Sequence, residues 1–169
     1  MKLKEYAMLA EIVSGIAIVV TVVLLIVEVR ENTDAVRIAS AQAVHENYAN
    51  WYISLHSEPE TTELVIEGLR DPSTLTTVQW GQFISVMMAY TSYMQNAFYQ
   101  WQEGSLSPEL WQGWELVSYN LVGTPGGIRF WQERSYVFGD TFREYVETEI
   151  MTKEPPVGAK PLGAFDIGP

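Results

Sequence analysis

The longest stretch of apolar positions in the chain covers residues 12–27, sixteen in a row without a charged side chain. As a helix rising about 1.5 Å per residue they reach about 24 Å, against about 30 Å for the hydrocarbon core of a bilayer. The apolar residues 6–10 extend the run if Glu11 is tolerated near the interface, and Glu28 marks the other end. We therefore predict one transmembrane helix within residues 1–30.

Small residues mark one part of this run. Ala10 and Ser14 have the small-xxx-small spacing that lets two membrane helices approach closely, and Gly15 and Ala17 lie beside them. The run therefore fits either a plain anchor or a helix that packs against other membrane helices. Carboxylates at membrane depth are costly unless they reach the interface or face a partner, so Glu11 and Glu28 are candidate functional charges.

The start of the chain also has features of a secretory signal peptide, because the basic segment MKLK precedes the apolar run. The run is longer than a usual signal-peptide core, and no A-x-A-like cleavage site follows it, which favours an uncleaved anchor. Lys2 and Lys4 precede the run, and Arg30 and Arg37 follow it. The positive-inside rule then gives a small preference for an inside N-terminus and a domain outside.

Helical spacing of three and four continues after the apolar run. Residues 31–57 contain neither proline nor glycine and carry two apolar rows, which predict an amphipathic helix with a wide buried face. Ser57 and Ser107 each precede a proline by one or two residues, as helix N-caps do. The two rows are Ala41, Val44, Tyr48, Trp51, Leu55 and Ile38, Ala41, His45, Tyr48, Tyr52, Leu55.

The clearest periodicity in the rest of the chain covers residues 74–103. Its predicted core positions are Trp80, Phe83, Met87, Tyr90, Met94, Ala97 and Trp101. Residues 123–127 are predicted to form a tight turn, followed by helices at residues 128–137 and 141–151. The predicted fold is all-α: a transmembrane helix that continues into a helical bundle domain at residues 31–153, with about five further helices.

The last segment, residues 154–169, holds four prolines and three glycines and is predicted to be an extended tail. Three apolar side chains stand out in it, Leu162, Phe165 and Ile167. We expect them to dock the tail on a neighbouring surface, which belongs either to another copy of the chain or to a different subunit.

The charge pattern limits the classes of partner. The formal net charge is −11, and Arg70 is the only lysine or arginine between residues 38 and 128. Such an acidic surface repels phosphate backbones, which excludes nucleic acid as a partner. The acidic residues form either a solvated surface or a field that concentrates cations. The chain has no cysteine, which excludes disulfides, thiolate catalysis and zinc–thiolate sites.

Candidate catalytic and metal-binding residues are few. His45 and His56 are eleven positions apart, about 16 Å along one helix, so one ion cannot bind both within a single chain. Carboxylates between residues 60 and 67 fit a solvated helix face. The methionine–aromatic stripe of residues 80–101 fits core packing or a groove for a lipid or pigment. We predict no catalytic residue, no metal site, no cofactor and no enzymatic activity.

Four segments give the chain a family resemblance. They are EIVSGIAIVVTVVLLIVEVRENT, RIASAQAVHENYANW, NAFYQWQEGSLSPELWQGW and TPGGIRFWQERSYVFGDTFREYV. In this order they resemble a widespread family of small bacterial single-span membrane proteins of unknown function. Its members share an apolar N-terminal helix, R-x-N-T, an N-A-Y-Y-Q-like block and a P-G-G turn before a tryptophan. Where family members often have basic residues before the aromatic block, this chain has Thr91 and Ser92.

The resemblance covers nearly the whole chain except the tail, and it carries no catalytic residue. With the residue pattern, it favours a single-pass protein of the bacterial inner (cytoplasmic) membrane whose domain lies on the outer, periplasmic side. The function predicted is that of a non-enzymatic, membrane-anchored accessory subunit in the lipid bilayer. Its partners would be further copies of itself or other membrane protein subunits. An oligomeric cation channel and a sensor module for lipids or another apolar ligand are the alternatives.

Overall fold

The computed structural model describes residues 2–56 and 58–153, except for the side chains of residues 2, 3, 5 and 56. Throughout these residues the regular elements are helical and no strand occurs. The predicted all-α class and the long apolar N-terminal helix are therefore confirmed. The predicted docking residues Leu162, Phe165 and Ile167 lie outside the described residues.

The helices follow one another with short connections. Their bounds are α1 Lys2–His56, α2 Pro59–Arg70, α3 Thr77–Gln102, α4 Pro108–Val122, α5 Pro125–Arg134 and α6 Asp140–Tyr145. A 3₁₀ turn, Ser135–Val137, follows α5, and a π-helical turn, Val146–Ile150, follows α6.

The chain divides into two compact units, residues 1–39 and residues 40–169. The first unit is a stretch of α1 on which every described side chain is exposed. The second unit, called the helical domain below, contains the buried core. The predicted domain boundaries at residues 30 and 153 stay predictions.

Helix α3 lies at the centre of the helical domain and contacts α2, α4 and α5. Its core positions from Trp80 to Ala97 are buried as the spacing predicts, and Trp101 is half-buried. The helix begins with a reciprocal capping box: the Thr76 hydroxyl accepts from the Gln79 backbone, and the Gln79 side chain accepts from the Thr76 backbone. Local capping and a buried apolar face thus specify the same helix.

The sequence predicts one N-cap for α2 and one for α4. The Ser107 hydroxyl accepts a hydrogen bond from the Leu110 backbone N–H at 3.3 Å, so the predicted cap of α4 is confirmed. Helix α2 has Glu58 as its N-cap, without a side-chain cap bond, and the predicted cap Ser57 lies outside the described residues. Pro59 fixes its own φ at a helical value, which moves the start of α2 to the proline.

The predicted tight turn at residues 123–127 is wrong, because α5 already begins at Pro125. The Thr124 hydroxyl caps the helix by accepting from the Gly127 N–H at 3.1 Å. A Cβ atom on Gly126 would lie 1.9 Å from the carbonyl oxygen of Gly68, and one on Gly127 would lie 2.0 Å from that of Leu121. The two glycines therefore serve close backbone packing rather than chain reversal.

Within the helical domain, the C-terminal part of α1 buries a narrower face than its two apolar rows predict. Val44, Trp51 and Leu55 are buried, and the Trp51 indole N–H donates to the Val86 carbonyl at 3.3 Å. His45 and Tyr52 are exposed. The second predicted row is thus wrong as a continuous buried row, because α4 and α3 cover only one side of the helix.

The last helix is split. The prediction of one helix at residues 141–151 is replaced by the short α6 and a π-helical turn, although the core positions Phe142, Val146 and Ile150 are all buried. The Tyr119 hydroxyl donates to the Glu149 carbonyl at 2.7 Å, which joins this turn to α4.

Candidate functional site

The apolar run of α1 is the first candidate functional surface. Taking the described residues alone, α1 is the one helix long and apolar enough to cross a membrane. A signal sequence can have the same length and composition, so this helix is compatible with a membrane span and with a signal sequence. Every side chain from Ile12 to Val27 is exposed, as are Glu11 and Glu28.

The predicted packing residues Ala10, Ser14, Gly15 and Ala17 are also exposed on α1. A Cβ atom added to Gly15 would meet no atom of the described residues within 4 Å. The Thr21 hydroxyl donates to the Ala17 carbonyl at 2.9 Å, so its proton is used inside the helix. A helix that satisfies its own hydroxyl in this way suits an apolar surrounding.

The second candidate surface is an apolar groove of about 290 Å³ on the helical domain. It is called the α1–α4 groove below. From α1 it is lined by Ala41, Val44, His45 and Tyr48; from α4 by Leu110, Gly113, Trp114 and Val117; and from the α3–α4 connection by Leu106. The lining is mostly apolar, and Leu110 remains 49% exposed at its edge.

An aromatic cluster forms the floor of the α1–α4 groove. The Tyr48 ring meets the Trp114 ring edge-on, with centroids 5.3 Å apart. Behind them the rings of Trp51 and Tyr90 lie 4.8 Å apart, and Trp114 is 5.8 Å from Tyr90. Such rigid rings hold their positions with little conformational freedom, so the floor of the groove is preformed.

The polar groups under this floor are paired with one another. The Tyr90 and Ser118 hydroxyl oxygens are 2.9 Å apart, and the Ser118 hydroxyl donates to the Trp114 carbonyl at 2.7 Å. Burial raises the pKa of Tyr90 far above its usual range. The phenol is therefore neutral at physiological pH and orients the core rather than exchanging protons.

His45 is exposed at the rim of the α1–α4 groove, and the side chain of His56 lies outside the described residues. Within the parts of the chain that the structure describes, no three histidine or carboxylate side chains cluster as metal ligands. His45 therefore contributes an exposed polar side chain to the edge of an otherwise mostly apolar lining.

The methionine–aromatic stripe of α3 is packed into the core. Phe83, Met87, Tyr90 and Met94 each have 0% of their surface exposed. The structure therefore assigns this stripe to packing, and the open apolar volume lies elsewhere, between α1 and α4. Periodicity could not locate that volume, because it depends on which helices meet.

A polar cluster joins α3 to α5. The Trp80 indole N–H donates to Glu133 at 3.0 Å, Arg129 donates to the same carboxylate at 2.9 Å, and the guanidinium lies 4.2 Å from the Trp80 ring. Burial would raise the pKa of Glu133, but hydrogen bonds from Trp80 and Arg129 outweigh it and lower the pKa. The Arg129–Glu133 spacing of four was the one sequence signal for this cluster.

A second polar cluster joins α4 to α6. Tyr145 donates to Glu115 at 2.7 Å and accepts from the Trp111 indole N–H at 3.2 Å. Burial, and then the hydrogen bond to Glu115, raise the pKa of Tyr145 far above its usual range. In both clusters each polar group forms a hydrogen bond with another member of the cluster. This geometry joins two helices and is not that of a reaction centre.

Comparison of the chain with protein-family models, with curated proteins and with solved structures gives no match.

Proposed function

We propose that this chain is a non-enzymatic, membrane-anchored accessory subunit that assembles with itself or with a larger membrane complex. The observation that supports the proposal best is the α1 run from Ile12 to Val27, which is exposed along its whole length. Thirteen exposed apolar side chains in this run of sixteen uncharged residues oppose solubility in water, whereas in lipid the same surface is favourable.

The small residues of α1 support assembly rather than anchoring alone. A glycine in a helix costs stability relative to alanine, and among the described residues no atom lies within 4 Å of a Cβ atom added to Gly15, so packing there does not explain the glycine. A second helix that packs along Ala10, Ser14 and Ala17 could come into close backbone contact, because Gly15 has no Cβ atom. The proposed partner is therefore a membrane helix, from another copy or from another subunit.

The proposed setting is the inner membrane of a bacterium, with one span and the helical domain on the periplasmic side. The proposed family is that of the small bacterial single-span membrane proteins described above. The two exposed carboxylates, Glu11 and Glu28, fit this setting because each stands at one end of the apolar run, where a carboxylate can reach the interface.

The test is the mass of the protein purified gently from its membrane, measured by native mass spectrometry for wild type, Gly15→Leu and the matched control Val19→Leu. We expect a defined complex for wild type and for the control, and loss of the complex for Gly15→Leu, because leucine holds the helices apart. A monomeric mass for the wild-type protein would contradict the proposal.

The cation-channel alternative rests on the acidic helical domain. Against a channel, Ser14 and Thr21 are the only hydroxyl residues within the run, which gives a pore little polar lining. Planar-bilayer recordings of wild type and of Glu11→Gln/Glu28→Gln separate the two functions. A channel would give currents that fall in the double variant, whereas an accessory subunit gives none in either.

A further inference from the structure

Trp114, in the lining of the α1–α4 groove, differs from the other buried tryptophans in its indole N–H. The other four buried indoles each donate a hydrogen bond: Trp51 to Val86, Trp80 to Glu133, Trp111 to Tyr145 and Trp131 to Glu147. Trp114 has only 7% of its surface exposed, yet its N–H donates to no atom of the residues that the structure describes. Since a buried indole usually has an acceptor, this donor indicates a place for one in the groove.

The Trp114 ring is held in place while its N–H stays accessible. Its centroid lies 5.3 Å from that of Tyr48 and 5.8 Å from that of Tyr90. Among the described residues, the fully buried side-chain nitrogen and oxygen atoms without a partner belong to Gln100, Asn120 and Arg143. The Trp114 Nε1 atom is not one of them, so a molecule in the groove that this ring lines can reach it.

We propose that the α1–α4 groove binds a small, uncharged apolar molecule whose acceptor oxygen receives the Trp114 N–H. A dry protein cavity of about 150 Å³ holds one benzene ring. The groove, at about 290 Å³, therefore fits a molecule of about two fused rings. Gly113 keeps the volume beside Trp114 open, because no described atom lies within 4 Å of a Cβ atom added there. This site does not depend on assembly through the membrane helix.

The chemistry of the lining selects an uncharged ligand. Its titratable side chains are His45 and Tyr48, and it includes no carboxylate, ammonium or guanidinium group. A charged ligand would lose water on entering the groove without gaining an ion partner, which is unfavourable. The net charge of −11 further opposes an anion. A neutral carbonyl compound meets neither penalty and supplies the acceptor that Trp114 lacks among the described residues.

The test measures dissociation constants by isothermal titration calorimetry on the full-length protein in detergent. The probes are tetralin, α-tetralone and aminotetralin, which share two fused rings and differ in carrying no polar group, a carbonyl oxygen or an ammonium group. Trp114→Phe removes the N–H and keeps an aromatic ring. Its control is Trp101→Phe, because Trp101 is half-buried and lies outside the lining.

A second pair of variants tests the location of the site. Gly113→Leu fills the groove from α4. Its control, Gly81→Leu, places the same side chain on α3 outside the lining, where an added Cβ atom likewise meets no described atom. Each affinity is compared between variants with the same probe, so that partition of the probe into detergent cancels.

We expect Trp114→Phe to weaken binding of α-tetralone about two- to tenfold, the factor for one hydrogen bond, and to leave tetralin binding unchanged. Gly113→Leu should weaken binding of both about tenfold, because its side chain occupies their volume. Trp101→Phe and Gly81→Leu should match wild type with every probe. Gly113→Leu keeps the test decisive if Trp114→Phe fails to fold.

Three results would overturn the proposal. The groove is not the site if wild type binds neither ring probe, or if Gly113→Leu binds α-tetralone as wild type does. The indole N–H is not the donor if Trp114→Phe weakens tetralin and α-tetralone equally. The ligand is not an uncharged one if Gly113→Leu weakens binding of aminotetralin as much as it weakens binding of α-tetralone.

Discussion

The two compact units handle apolar side chains in opposite ways. Ile16 and Leu24 in the first unit are 58% and 63% exposed, whereas Phe83 and Phe98 in the helical domain are 0% exposed. Both units are helical, so secondary structure does not explain the contrast. The helical domain alternates apolar and polar positions and can bury one face, whereas an all-round apolar helix has no polar face to turn outward. Among the described residues, none covers the apolar side chains of the first unit.

The largest expected effect is the loss of a core aromatic ring. Phe98 lies 4.9 Å from the ring of Tyr145, 5.4 Å from Phe142 and 5.7 Å from Trp111. Phe98→Ala should destabilise the helical domain by about 3–5 kcal/mol, because it removes transfer free energy and leaves a cavity. Denaturant unfolding followed by tryptophan fluorescence measures this. The matched variant Ile16→Ala should leave the unfolding midpoint unchanged, and an equal loss in both would erase the contrast between the units.

A charged side chain introduced into the apolar run should affect the first unit instead of the helical domain. Val20→Arg is expected to weaken membrane insertion by about 2.5–3.5 kcal/mol, the cost of arginine at the centre of a spanning helix. The fraction of protein that resists alkaline carbonate extraction reports this change. Val36→Arg, at a position equally exposed but beyond the run, is the control. Equal retention of both variants would argue against a spanning role for the run.

Glycine substitutions separate backbone packing from simple helix propensity within the helical domain. Gly127→Ala should destabilise it by about 1–3 kcal/mol through overpacking, because the new Cβ would lie 2.0 Å from the Leu121 carbonyl oxygen. Gly81→Ala should instead stabilise α3 by about 0.5–1 kcal/mol, since its Cβ meets no atom. Thermal unfolding of both variants tests the pair. Similar shifts in the two would mean that α5 does not approach Leu121 closely.

The smallest expected effect is a pH dependence at the Trp80–Arg129–Glu133 cluster. The pKa of Glu133 is lowered in the folded state, so its contribution to stability is present above the unfolded value of about 4.3 and is lost as pH falls through the folded pKa. Wild type should be more stable than Glu133→Gln at pH 7, and the difference should shrink below about pH 4. Unfolding curves from pH 7 to 3 measure it, and a constant difference would contradict it.

The fold was predictable from sequence where the determinants are local. The three-and-four spacing of α3 selects buried positions from Trp80 to Ala97 without knowledge of the other helices. Ser107 caps α4 through a hydrogen bond within one turn, which spacing also reveals. The apolar run of α1 is equally plain, since an uninterrupted apolar stretch is recognised without knowledge of the other helices.

The rest depended on which helices meet. A glycine pair after proline indicates a turn locally, yet Gly126 and Gly127 lie in the first turn of α5, where Thr124 caps the helix. The need for glycine there depends on the backbones of Gly68 and Leu121, which approach from outside the helix. The α1–α4 groove could likewise not be predicted from the sequence, because it exists only where α1 meets α4 and Leu106. The exposed position of His45 followed from the same long-range arrangement rather than from its row on α1.

The most direct test of membrane anchoring compares Leu24→Cys with Ile38→Cys in an otherwise cysteine-free chain. In the protein alone these positions are similarly exposed, 63% and 69%, so any difference in labelling reports the surroundings. Native membranes are treated with a membrane-impermeant maleimide, with and without prior opening of the vesicles. We expect Ile38→Cys to react from one side and Leu24→Cys to react only after detergent denaturation. Reaction of Leu24→Cys in intact or opened membranes would contradict a spanning helix.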